Sequence, residues 1–235
     1  MAGQSAGQVA LEDVTNALNV IDERDDLLVF DKPAGLLSVP GRGPDKQDCL
    51  SQRALARWPD AKVVHRLDMD TSGVLIMARG LEMQRALSQA FANRRTEKTY
   101  TAVVWGNLRN QGIPGVWNTI EAPLVVDWPN RPKSKICWDT GKPSTTLWRV
   151  LDDPGLPINH TRLELKPVTG RSHQLRVHLL SIGHPILGDP LYGRDAQGND
   201  SAYRAAPRLM LHATHLHIDH PQSGVALDWT SPPPF

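Results

Sequence analysis

The stretch His65-Arg66-Leu67-Asp68-Met69-Asp70-Thr71-Ser72-Gly73 brings residues able to do chemistry close together. Asp68 stands two residues after a cation and three before a small polar turn. The apolar run Val74-Leu75-Ile76-Met77-Ala78 follows and reads as a buried strand. A carboxylate on the lip of a core strand is costly unless it is paired or working. An ionised carboxylate in such a place can act as a nucleophile or a base. In a strand, Asp70 would share a face with Asp68, and a second nearby carboxylate raises the pKa of the first. Asp70 is therefore expected to point away, although residue type alone hardly ranks the two. Thr71 and Ser72 carry hydroxyls, but no Gly-x-Ser-x-Gly elbow surrounds them, and they read as turn formers.

Other segments offer complementary groups. Lys98-Thr99-Tyr100 presents an aromatic ring with a phenol, suited to stacking and proton transfer. Lys166-Pro167-Val168-Thr169-Gly170-Arg171-Ser172-His173-Gln174-Leu175-Arg176 is rich in cations. An opposite charge at close range keeps a carboxylate ionised. Taken alone, Asp68 reads first as a strand-end turn residue, Arg171 equally as half of a surface ion pair, and Tyr100 as a sheet-core aromatic. His212, His215, His217 and His220 cluster late in the chain, and His215 and His217 would share a strand face. No carboxylate or cysteine stands at convincing ligand spacing, so no metal site is expected. Gly41-Arg42-Gly43 lacks the remaining glycine and the Lys-Ser/Thr of a phosphate loop.

These groups need elements to hold them. Residues 1 to 20 are small and polar and read as a flexible tail. Leu27 to Phe30 is a short strand candidate, broken by the turn residues Asp31-Lys32-Pro33-Ala34-Gly35. A helix is expected after Asp48 as N-cap, with Leu50, Ala54, Leu55 and Trp58 on one face. Leu81 to about Arg94 reads as an amphipathic helix, and Lys98 to Trp105 as a strand. Prolines and tryptophans break residues 107 to 143 into loops and short edge strands. Arg162 to Lys166 alternates strictly and reads as a half-buried strand. Ser172 is expected to cap a helix running to about Ile182, with Gly183 as its stop. Arg208 to Ile218 reads as a last strand region. Helices and strands are interspersed without regular βαβ alternation, which favours an α+β fold with a mixed, largely antiparallel sheet and flanking helices.

The chain has 235 residues, 40% hydrophobic and 22% charged, which indicates a globular protein. No apolar run reaches the ~18 residues of a membrane span, and the N-terminus has no secretory pattern. Cys49 and Cys137 therefore read as reduced thiols, consistent with a cytoplasmic location. A formal charge of +1 neither supports nor excludes nucleic acid. A short RNA hairpin needs only a local positive face, to which Arg94-Arg95, Arg131 to Lys135, and Arg66 with Arg171 are candidate contributors.

Three segments, around Asp68, Tyr100 and Arg171, resemble in order the signatures of the RluA-type pseudouridine synthases. The resemblance runs from about Ile21 to the C-terminus. Leu37 to Arg42, Asp127 to Lys133, and Gly183 to Asp189 are in addition similar to the founding member of that family, which lacks an N-terminal S4-like domain. The resemblance implies a pseudouridine synthase fold with a central active-site cleft, one catalytic domain of two sub-lobes over residues 21 to 235, and no S4-like domain. It implies Asp68 as the catalytic carboxylate, Arg171 as its ion-pair partner and Tyr100 as the stacking and proton-handling residue. Arg66 would insert where the target base was. His65, Thr71, Arg42, Arg131, Lys133, His173 and Arg176 are the expected further substrate-binding residues. The implied substrates are tRNA and rRNA hairpins, namely the first anticodon-loop nucleotide of some tRNAs and one uridine of 23S rRNA. Neither cofactor nor metal is expected, and a monomer is favoured. The rival readings are a non-catalytic RNA chaperone or ribosome-assembly factor on the same fold, and a metal hydrolase built on the late histidines.

Overall fold

The computed structural model describes residues 18–109, 115–194 and 198–235. The chain divides into two compact units. The first holds the chain up to Thr96 together with Leu216–Pro232, and the second holds Glu97–His215 with Pro233–Phe235. The expected tail lies outside the described residues up to position 17, but Val20 already opens a strand.

In the first unit, β1 (Val20–Glu23) pairs antiparallel with β2 (Leu27–Lys32), and β2 pairs antiparallel with β4 (Ser72–Arg79). The short β3 (Ala61–Val63) lies on β4 as well. Strand β4 is buried almost end to end because both of its faces are covered. Val74, Ile76 and Ala78 pack with Leu27 and Val29 against Met83, Leu87 and Ala90 of helix α2 (Gly80–Ala92). On β2, Phe30 meets Trp58 edge to face at 5.7 Å, just past helix α1 (Leu50–Arg57). The turn residues after Phe30 do not break the strand, which runs on through Lys32.

Two helix ends differ from the sequence expectation. Cys49, not Asp48, occupies the α1 N-cap, and no side chain caps it. The Leu50 and Ser51 N–H groups donate instead to the Leu37 and Ser38 carbonyls, at 2.8 and 3.2 Å. Those strand-like acceptors remove the need for a side-chain cap. Asp48 is engaged by Arg53 through two bonds of 2.7 and 2.8 Å, which hold its carboxyl below the usual range. Helix α2 stops at Ala92, earlier than its apolar pattern suggests. Arg94 takes the left-handed conformation (φ 57°), its N–H donating to Phe91 O while Arg95 N–H donates to Ala90 O. This is a Schellman motif with arginine where glycine is usual.

In the second unit, β5 (Thr96–Trp105, which starts at the boundary) pairs antiparallel with β10 (His160–Pro167), β10 with β9 (Thr145–Leu151), and β9 with β6 (Asn118–Glu121). Strand β9 was not apparent from the sequence. Its inward residues Thr146 and Trp148 mix a hydroxyl with a ring, which blurs the apolar alternation. The alternation of β10 is realised: Leu163 and Leu165 are buried, while Arg162 pairs with Asp153 and Lys166 with Glu97. Helix α3 (Gln174–Ser181) packs Leu175 and Leu179 on Ala102, Val104, Leu163 and Leu165. Gly183 ends it in a second Schellman motif, at φ 83°. β7 (Leu124–Val126) and β8 (Ser134–Ile136) form a separate hairpin. Strand β11 (Leu211–Asp219) spans the second boundary, and β12 (Ala226–Thr230) pairs with it. The protein is thus of the α+β class with largely antiparallel strands. Both cysteines are free thiols. No helix among the described residues is long and apolar enough to cross a membrane.

Arg94→Gly removes the strain of a side chain in the left-handed region and is expected to raise stability by about 0.5–1 kcal/mol in urea unfolding. Unchanged or lowered stability contradicts this account of the α2 terminus.

Candidate active site

Asp68 sits in the connection from β3 to β4. Its carbonyl accepts the Thr71 N–H at 3.1 Å, which closes a turn with Met69 and Asp70 in the middle. Asp68 and Asp70 are therefore turn residues, and the strand alternation that would put both on one face does not apply. Thr71 and Ser72 are buried, each 3% exposed, where the turn feeds into β4, so Thr71, expected to bind substrate, presents almost no surface to one.

The turn is clamped from an unexpected side. Lys32 is completely buried, and its ammonium donates to Pro33 O at 2.8 Å, Leu36 O at 2.6 Å and Met69 O at 2.9 Å. Gly35 N–H donates to Met69 O as well, at 2.9 Å. Ser38 makes a reciprocal pair with Leu67, donating its hydroxyl to the carbonyl and accepting the N–H. A buried ammonium is tolerated only where its donors are matched by acceptors. Residues 33–38 are thus fastened to both flanks of Asp68. Sequence reasoning missed Lys32. The available signal was its parity with Leu28 and Phe30 along a strand that had no reason to stop.

His65, expected to bind substrate, is half-buried and engaged by its neighbours. Its Nε2 accepts the Ile76 N–H at 3.1 Å, and its ring stacks on Phe91 with centroids 4.4 Å apart. This assigns the ring proton to Nδ1. Arg66 and Arg42 are exposed.

In the second unit, Tyr100 lies on β5 opposite Leu165 and packs, half-buried, against the core. Burial pushes the nearby Lys98 ammonium down from its usual pKa. Arg171 is exposed on the loop between β10 and α3. Ser172 does not cap α3. His173 stands at the N-cap in the left-handed region (φ 56°), again without a side-chain cap bond. Gln174 organises the loop from inside the helix. Its Oε1 accepts the Thr169 hydroxyl at 2.7 Å and the Arg171 N–H at 3.1 Å. Its Nε2 donates to Thr145 O at 2.9 Å and Thr146 Oγ1 at 3.0 Å. The Gln174 N–H, a donor that a Ser172 cap would have satisfied, goes instead to the Arg171 carbonyl at 3.2 Å.

Arg176, expected to bind substrate, is 2% exposed and forms a bidentate pair with the fully buried Asp189, at 2.7 and 2.8 Å. It is withdrawn as an RNA contact. Both partners lie beneath the surface, where the pair braces residues 189 to 192: the Asp189 carboxylate also accepts the Leu191 and Tyr192 N–H groups. His173 Nδ1 lies 2.8 Å from the Tyr192 hydroxyl. Arg131 and Lys133 lie in the turn of the β7–β8 hairpin. The late histidines are drawn to different partners: His217 to Asp228 at 3.1 Å, His220 to Asp26 at 2.7 Å, and His212 to the Phe235 ring. Among the described residues no group of three or more His, Cys, Asp or Glu is arranged to hold a metal ion.

The family model for RNA pseudouridylate synthase matches residues 26–181, which contain the Asp68 turn, Tyr100 and the Arg171 loop. The chain belongs to the RNA pseudouridylate synthase family. As a member it is an RNA pseudouridine synthase, an isomerase. Among similar proteins, the dual-specificity RNA pseudouridine synthase RluA of Yersinia pestis is 47% identical over 204 residues, covering 86% of this chain and 92% of the relative. The RluA of Escherichia coli K12 is 43% identical over 219 residues, 93% and 94% of the two chains. Of solved structures, human RNA pseudouridylate synthase domain containing 1 superposes with a TM-score of 0.70 at 28% identity, covering 100% of this chain and 87% of that one. Human RNA pseudouridylate synthase domain containing 4 has the same fold, with a TM-score of 0.71 at 24% identity.

For this synthase, Lys32→Met is expected to lower stability by about 2–4 kcal/mol, since it strips a fully buried charged donor from three carbonyls, one of them buried. Turnover should fall with it as the Asp68 turn loosens. Urea unfolding and single-turnover rates measure the two effects, and a variant of wild-type stability contradicts the clamp.

Proposed function

We propose that this synthase isomerises uridines in tRNA and 23S rRNA hairpins, including the first anticodon-loop nucleotide of some tRNAs. The observation that carries this reading is the 43–47% identity to relatives named dual-specificity, over most of both chains. The reaction breaks the bond between N1 of uracil and the sugar, turns the base, and joins C5 to the same sugar carbon. The C5 proton leaves and N1 gains one, so no electrons and no external group are required. An ionised carboxylate serves this chemistry, and Asp68 is that group, acting as nucleophile or base. Arg171 is the counterion that the family resemblance assigns to it. Tyr100 stacks on the extruded uracil and handles the proton. Arg66 fills the space that the base leaves, offsetting part of the few kcal/mol, roughly, of lost stacking. Arg42, Arg131, Lys133 and His173 contact RNA, while His65 and Thr71 act through the turn that carries Asp68. The protein works in the cytoplasm as a monomer, without metal or cofactor.

Asp68→Asn is nearly isosteric and removes the charge. Turnover, read as tritium release from C5-labelled uridine RNA, is expected to fall by at least about 10⁴-fold while gel-shift affinity is kept. Activity within about tenfold of wild type sinks the assignment and favours a different group. Asp70→Asn should have a far smaller effect.

Arg66→Ala separates base flipping from phosphate binding. A stable hairpin should suffer a large loss of single-turnover rate, and a short unstructured RNA with the same uridine a small one, because unstacking is already complete there. A phosphate contact would weaken both about equally. Equal losses remove the flipping role.

A further inference from the structure

Trp128 exposes 66% of its surface at the turn of the β7–β8 hairpin. Leaving an indole in water forgoes a large apolar burial. The turn is rigid. Asp127 N–H donates to Lys133 O at 2.8 Å, Asn130 N–H to Asp127 O at 3.0 Å, and Lys133 N–H to Asn130 O at 3.0 Å. The Asp127 carboxylate accepts the Asn130 amide at 2.9 Å and pairs with Lys135 at 3.1 Å, and these bonds hold it below the usual carboxylate range. At the root of the hairpin, the Ser134 N–H donates to the buried Tyr192 hydroxyl at 2.7 Å. The Arg131 guanidinium lies over the Trp128 ring, 4.0 Å from its centroid.

We propose that Trp128 and Arg131 form a preformed stacking platform for an unpaired base of the RNA, with Arg131 and Lys133 supplying charge to the adjacent phosphates. The inference rests on the RNA-substrate reading above and adds a contact away from the Asp68 turn. An indole face and a guanidinium plane both stack on nucleobases, whatever the base. The other residues of the turn, Pro129, Asn130, Pro132 and Lys133, are polar, cationic or stiff, rather than the aliphatic surround of a protein-docking patch. A braced turn loses little entropy on binding, so the stacking free energy reaches the affinity largely intact. A fully paired helix hides its base faces, so the platform selects loops and bulges.

Fluorescence anisotropy with two labelled RNAs tests this: a tRNA anticodon stem–loop and a fully paired duplex of equal length. Trp128→Ala should weaken the stem–loop by about fivefold to a hundredfold, and Trp128→Phe by much less. Duplex affinity should stay within about twofold. In turnover the loss should appear in KM rather than kcat. Arg131→Met should also flatten the log–log salt dependence, by about 0.7 for one phosphate contact. Stem–loop affinity unchanged in Trp128→Ala, or equal weakening of both RNAs, overturns the platform. So does a changed oligomeric state with RNA affinity intact, which would assign the surface to a second copy of this chain. Binding is measured directly, so a wild-type protein that binds the stem–loop yet forms no pseudouridine faults the substrate reading and leaves the platform standing.

Discussion

A buried ammonium group organises the neighbourhood of Asp68. Lys32 has no exposed surface and three backbone carbonyls within hydrogen-bonding distance, two from the chain just after it and one from Met69. A buried cation is unfavourable unless acceptors converge on it. That demand runs in both directions: it shapes the 33–36 backbone around the amine, and it holds the carbonyl next to Asp68 in one place. Ser38 and Gly35 add further bonds between the same two segments. These bonds fix the backbone on both sides of Asp68, the carboxylate proposed to react, where positioning matters most.

The second unit solves the same problem with neutral polar groups and one ion pair. Gln174 reaches back from the first turn of α3 to hold Thr169 and the Arg171 amide, while its amide nitrogen is anchored on β9. The chain continues into His178, whose Nδ1 lies 2.9 Å from Thr146 Oγ1 and whose Nε2 lies 3.0 Å from Ala122 O. Burial pushes this imidazole down from its usual pKa, which keeps it neutral and able to donate one proton to that carbonyl. Deeper still, Arg176 and Asp189 neutralise each other and fix the backbone before Tyr192. Buried networks of this kind add little net stability, but a missing member leaves an unsatisfied partner, so they favour one arrangement of the loop over others.

The surface contrasts with this interior. The arginines proposed to meet RNA, Arg42, Arg66 and Arg131, are all exposed, as is Arg171. With a formal charge of +1, the chain has no overall field to hold RNA. Affinity must come from local contacts, and aromatic stacking is the kind that tolerates near-neutrality.

Local patterns in the sequence determined much of this. The unbroken run of β4, the 3.6-residue stripe of α2 and the alternation of β10 each specify an element from neighbouring residues, and each is present. The strings around Asp68, Tyr100 and Arg171 carried the family, and the family model matches the stretch that holds all three. What only the tertiary structure decided lies where partners are distant in the chain. Lys32 read as part of a turn, since Met69, thirty-seven residues on, is what makes it a core residue. Arg176 read as an RNA contact until Asp189 was found beside it. Asp48 and Ser172 had the chemistry of caps, but the carbonyls of Leu37 and Ser38 had already taken the donors at the start of α1, and the Arg171 carbonyl the Gln174 N–H at the start of α3. Side-chain type states what a group is able to bond. Which bond it makes is settled by what the fold brings within 3 Å, roughly, and that depends on the whole chain at once.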